Sequence, residues 1–233
     1  MNLRTRYFIP LSLLLAAPAS ANLTVHPMRS AVGPEKGTQI RVYSQSTRAQ
    51  YVQVAMRRIV NPAATDEREV ELDPSEAAIA ITPGKFALSG GGNRLIRVIP
   101  LQPVQEEQAY RVYFEGVRGP DDRPMETAVD GARANVGVSL VWGALVNVVP
   151  TDGVVNLDLR DGTLHNTGTL RVGLTSVADC NASGACTAHE LRRSLYPGTT
   201  VDLPFQPTPG HTLQLRYRLT QGGYREHVHS ISL

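Results

Sequence analysis

The chain has 233 residues, with 23 basic and 21 acidic side chains and a formal net charge of +2. Arg4 and Arg6 belong to an N-terminal leader, and without them 21 basic residues face 21 acidic ones. That balance excludes bulk attraction to nucleic acid or to an anionic membrane. No later segment approaches the roughly 20 apolar residues a helical membrane span requires, so no membrane insertion is expected.

Residues 1–21 read as a cleavable signal peptide. Arg4 and Arg6 give a positive start, an apolar run follows from Leu11 to Ala17, and Ala19-Ser20-Ala21 is an Ala-x-Ala cleavage site before Asn22. The mature chain is therefore expected to be soluble and exported.

Beyond the leader, apolar and polar residues alternate in one segment after another. Examples are Gln39 to Tyr43, Tyr51 to Met56, Tyr110 to Phe114 and Leu213 to Leu219. Such alternation, broken by turn residues every 8 to 12 positions or so, predicts an all-β sandwich architecture. In the first part strands are expected near 23–31, 38–45, 50–59, 69–73, 78–81, 93–99, 109–117 and 135–149. Residues 118–134 are expected to form a long polar loop. In the second part strands are expected near 154–159, 162–167, 169–176, 189–194, 200–203, 211–219 and 224–231. The best boundary is Val148 to Gly153: Pro150 stops a strand and Asp152-Gly153 signals a turn. Segments 22–149 and 151–233 then have the sizes of a full and a trimmed immunoglobulin-like sandwich.

The last strand of the first segment, Asn135 to Pro150, is more apolar than a small domain needs. Val136, Val138, Leu140 and Trp142 alternate and would share one side of it. They either fill that domain's own core or serve a partner.

Candidate chemistry is sparse. Cys180 and Cys186 are the only cysteines, and in an exported chain they are expected to form a disulfide across a short loop. A zinc site including His189 would need further ligands, and no second pair has the spacing. His227 and His229 share a strand face, but two imidazoles alone make a weak site. Ser89 to Asn93 is a glycine-rich turn without the Lys-Ser/Thr of a phosphate loop. No Gly-x-Ser-x-Gly or His-Glu-x-x-His motif is present, so no catalytic residue, metal or cofactor is assigned and no enzyme is expected. Arg29, at the first strand, is either a solvated side chain or a guanidinium shaped to capture a carboxylate.

Together these segments resemble a known family. Ile40 to Ser46, Tyr51 to Val54, Ile59 to Pro62, Thr82-Pro83, Asn93 to Val98 and Tyr110 to Glu115 carry the resemblance in the first part. Leu164 to Gly168, the Cys180/Cys186 pair and Leu195 to Gly198 carry it in the second. In that order, behind a signal peptide, they resemble periplasmic chaperones of the chaperone–usher pilus pathway, in the alternate (α-fimbrial) class.

The resemblance implies two immunoglobulin-like domains set at an angle with a cleft between them. It implies a periplasmic protein that binds pilin subunits and delivers them to an outer-membrane usher. Binding would be by loan of the strand near 135–149, a strand-addition mode. Val136, Val138 and Leu140 would enter the subunit's groove, with Trp142 as a fourth side chain. An exposed edge of this kind would also allow self-association. In better-known members an arginine on the first strand and a lysine on the last strand hold the subunit's C-terminal carboxylate. Arg29 matches the arginine. Gly143 to Val146 carries no basic residue, so the lysine has no match, and Arg41 and Arg133 are further candidates. The competing reading is a secreted two-domain adhesin or carbohydrate-binding module that uses loops such as 118–134.

Overall fold

A computed structural model describes residues 23–117 and 140–233. The leader, the loop 118–134 and the candidate residues Val136, Val138 and Arg133 lie outside them. The fold is all-β, two immunoglobulin-like sandwiches with a cleft between them.

In the first sandwich the strands are β1 (Leu23–His26), β2 (Arg29–Val32), β3 (Thr38–Ser44), β4 (Gln50–Val60), β5 (Arg68–Val70), β6 (Ile79–Thr82), β7 (Lys85–Leu88), β8 (Asn93–Pro100), β9 (Gln108–Val117) and β10 (Val141–Val148). One sheet has the order β1-β3-β8-β6, and the other runs β2-β10-β9-β4-β5 with β7 paired to β4. The single strand expected near 23–31 is two strands. The His26-Pro27 peptide is cis and separates β1, in one sheet, from β2, in the other. Proline has no N–H to give a ladder, so the chain changes sheets there. β7 is an addition to the expected strands; it is a short segment followed by a turn that holds Gly91 at φ 65°.

β9 shows how alternation becomes a core. Tyr110, Val112 and Phe114 are fully buried, while Arg111 and Tyr113 point the other way to Glu67 and Glu69. Burying each large apolar side chain contributes roughly 1.5–3 kcal/mol. The Tyr110 hydroxyl donates to Gln108 Oε1 at 3.0 Å and accepts from the Ala78 N–H at 3.2 Å, so the buried phenol keeps its hydrogen bonds.

The second sandwich comprises β11 (Leu157–Arg160), β12 (Thr163–Asn166), β13 (Val172–Cys180), β14 (Cys186–Leu195), β15 (Thr200–Asp202), β16 (Thr212–Leu219) and β17 (Glu226–Ser232). Its sheets run β11-β12-β15 and β14-β13-β16-β17. Asp161 and Gly162, at φ 49° and 78°, make the two-residue turn that joins β11 to β12. Cys180 and Cys186 form the expected disulfide, closing the β13–β14 hairpin. His189 lies against the Phe205 ring and His227 stacks on Tyr217. One apolar cluster runs from Leu23 to Val148, and a second is built mainly from Val149 to Leu219.

Candidate subunit-binding cleft

β10 has two halves with different neighbours. β9 pairs with it antiparallel along its whole length. On the other edge β2 pairs in parallel only from Leu145 to Val148, with Leu145 opposite Arg29. Val141 to Ala144 thus have no strand on that edge among the described residues. An open edge presents unpaired N–H and C=O groups, a template for an added strand. Side chains alternate along β10. Trp142, Ala144, Val146 and Val148 face the first domain's own core. Val141 is half exposed, and so is Leu140 just before the strand.

Where β2 begins, the open edge meets the cleft. A cavity of about 830 Å³ there is lined by Arg29 from the first domain and by Arg171, Arg193, Ser194 and Arg218 from the second. Its far wall includes β13, whose ladder slips at a bulge between Leu174 and Ser176, within the lining. Arg41 is elsewhere. It lies on β3 in the opposite sheet, where its Nη1 donates to Asn93 Oδ1 at 2.7 Å.

Behind the cleft the two domains are joined by a polar hub that no local pattern in the sequence announces. Glu107 is buried just before β9. Its Oε1 accepts from Asn147 Nδ2 at 2.7 Å and from the Thr220 hydroxyl, and its Oε2 accepts the Arg171 backbone N–H at 2.9 Å. Burial raises the Glu107 carboxyl above its ordinary value of 4.5, and these hydrogen bonds draw it partly back. Asn147, on β10, also donates to the Tyr196 hydroxyl at 2.9 Å. Tyr196 packs with Ile59, Ala109 and Leu145 across the junction. Burial raises its phenol too, while the charges of Arg171 and Arg29 act in the opposite direction.

Arg171 is buried, at 7% exposure. Its Nε and Nη2 donate to Ser194 Oγ at 3.2 and 2.7 Å, and its guanidinium lies 6.0 Å from the Tyr196 ring centre. Gly173 makes room for it: a Cβ there would stand 2.8 Å from Arg171 Nη2. One signal for Arg171 was available in the sequence. It is the charged member of Leu170 to Leu174, a run buried on both faces.

No family model matches the chain. It is 28% identical over 201 residues to a CS1 fimbrial subunit of Escherichia coli, covering 82% of this chain and 83% of the relative. It is 27% identical over 208 residues to a CFA/I fimbrial subunit of Escherichia coli, covering 84% and 86%. Among solved structures, the class 5 fimbriae chaperone CfaA superposes with a TM-score of 0.72 at 22% identity, covering 91% of this chain and 100% of that one. A chain from a chaperone–tip adhesin complex of CFA/I fimbriae biogenesis superposes with a TM-score of 0.72 at 23% identity, covering 90% and 98%. The resemblance carried by the sequence motifs therefore stands in three dimensions: across both sandwiches, this chain has the fold of the chaperone–usher fimbrial chaperones.

Proposed function

We propose that the chain is a periplasmic chaperone that binds fimbrial subunits by strand addition, keeps them from aggregating and passes them to an outer-membrane usher. The open edge of β10 at Val141 to Ala144 carries this reading. A subunit that lacks a strand exposes an apolar groove and an unpaired edge, both aggregation hazards. A strand added along β10 covers the edge by main-chain hydrogen bonds. The stripe Val136, Val138 and Leu140, continuous in parity with Trp142, fills the groove. Trp142 itself already packs on the chaperone's own core, so its share in the groove is the smallest. The added strand stops where β2 takes over the edge, at Arg29. A carboxylate end is attracted there, and an amino end is repelled. The subunit strand therefore runs parallel to β10, with its C-terminus in the cleft.

The test is periplasmic co-expression with a fimbrial subunit of the same organism. Leu140→Asp is expected to leave the free protein's unfolding midpoint unchanged, because Leu140 is half exposed, and to abolish recovery of the subunit. Full recovery with a folded Val138→Asp/Leu140→Asp double variant refutes strand donation. The two relatives named as fimbrial subunits favour a second reading, a component of the fibre itself. Sheared, washed fimbriae decide it, since a chaperone is absent from them and a fibre component is not.

A further inference from the structure

We propose that Arg171 is the second cation of the cleft and, with Arg29, holds the C-terminal carboxylate of the bound subunit; this rests on the chaperone reading above. The strand-borne lysine of better-known relatives has no counterpart here. The residue opposite Arg29 on β10 is Leu145, half-buried among Ile59, Ala109 and Tyr196. A cation must come from the facing wall, and that wall belongs to the second domain.

The wall is cationic beyond its own needs. Arg192 is paired with Glu190, and the one acid in the lining, Glu226, is paired with Arg216. Arg29, Arg171, Arg193 and Arg218 have no carboxylate within 4.0 Å among the described residues. Of these four, Arg171 is the buried one. A buried charge is costly unless it is paired and hydrogen-bonded. Glu107 feels the Arg171 charge, but no guanidinium nitrogen lies within 4.0 Å of its oxygens, which accept from Asn147, Thr220 and the Arg171 backbone N–H.

The guanidinium itself retains capacity. It has five N–H donors, and two of them are directed at one oxygen, Ser194 Oγ. The remaining three have no acceptor among the described residues, in a fork whose spacing matches a carboxylate. Ser194 and the space left by Gly173 fix the position of the fork before any ligand arrives. Pre-positioning lowers the cost of ordering the site on binding. Arg193 and Arg218, on exposed positions of the same lining, add attraction at the rim.

The experiment uses the full chain and the same fimbrial subunit, in native form and with two glycines appended to the subunit's C-terminus. Arg171→Gln is expected to lower recovery of the native subunit at least tenfold while the free protein stays folded. The extended subunit, whose carboxylate is displaced, is expected to bind wild type tenfold more weakly and to show no further loss with Arg171→Gln. Such non-additivity is the mark of two changes acting on one contact. Unchanged recovery with Arg171→Gln, or an equal loss with both subunit forms, overturns the proposal. If Arg171→Gln does not fold, Arg171→Lys retains the charge without the fork. A several-fold loss confined to the native subunit then supports the proposal, and its absence overturns it. Arg29→Gln and Leu140→Asp separate the two levels. If both lose the subunit while the Arg171 variants keep it, the second-cation role fails and the chaperone reading survives. If wild type recovers no subunit, both fail.

Discussion

Glu107 and Arg171 are adjacent charges at one domain junction, and they are treated in opposite ways. Glu107 is buried with every oxygen occupied by donors from both domains. Arg171 is equally buried, has one side-chain acceptor, and lines the cleft. A saturated charge fixes how two domains meet. An unsaturated one stores binding capacity at a cost in stability. The junction thus separates a group that belongs to the fold from one that belongs to a ligand, although the two are joined by a single hydrogen bond.

Removing the saturated charge should have the largest effect. Glu107→Ala leaves one N–H of the Asn147 amide, the Thr220 hydroxyl and the Arg171 backbone N–H without an acceptor in a buried site, while the other Asn147 N–H keeps Tyr196. At roughly 1–3 kcal/mol for each orphaned group, less the relief of a buried charge, the expected loss is about 3–4 kcal/mol by chemical denaturation. A loss below about 1 kcal/mol would mean the hub does not hold the junction.

The same group gives a pH signature. Burial raises the Glu107 carboxyl above its ordinary value of 4.5. The folded state then binds this proton more tightly than the unfolded chain does. Its contribution to stability is therefore largest below 4.5 and is lost as pH rises through the higher folded value. Glu107→Gln should remove that slope. It should also cost about 1–2 kcal/mol, because the amide keeps an oxygen for Asn147 and Thr220 but turns N–H groups toward the Arg171 N–H. An unchanged slope between pH 4 and 7 in the glutamine variant would assign it to another group.

Gly173→Ala tests the other side of the comparison. The new methyl meets the Arg171 guanidinium at 2.8 Å and the Arg218 carbonyl oxygen at 3.1 Å. The side chain can shift and the strand backbone can give a little, so the expected loss of stability is about 1 kcal/mol. Subunit recovery should fall several-fold, since the fork is displaced. Stability lost without loss of recovery would show that the position of Arg171 is immaterial to binding.

The strands were legible because alternation reports the two faces of a sheet. Tyr110 to Phe114 and Leu213 to Leu219 lie where their period placed them. The break at His26-Pro27 was present as a proline, but its consequence, a strand that changes sheets, depends on β3 pairing with β1 in one sheet and β10 pairing with β2 in the other. Arg29 was named from the sequence as a candidate, and it opens β2 and lines the cleft. The Glu107 hub was not legible, because it joins positions 64 and 113 residues apart through single hydrogen bonds, which leave no local period; Arg171 left only its place as the charge in the run Leu170 to Leu174. The absence of a lysine in Gly143 to Val146 was visible, whereas its replacement required the second domain to be seen against the first.

The smallest effect is the most discriminating. Ser194→Ala removes the sole side-chain acceptor of Arg171. In a closed site such as that of Glu107, losing the acceptor of a charged donor costs roughly 1.5–3 kcal/mol. Arg171 opens on the cleft, where water can occupy the vacated position and hydrogen-bond the freed N–H groups. The expected loss is therefore below about 1 kcal/mol. Subunit recovery should drop only two- to three-fold, because the charge remains and only its orientation is loosened. A loss as large as that of Glu107→Ala would show that Arg171 is closed off from the cleft and is, like Glu107, a structural charge.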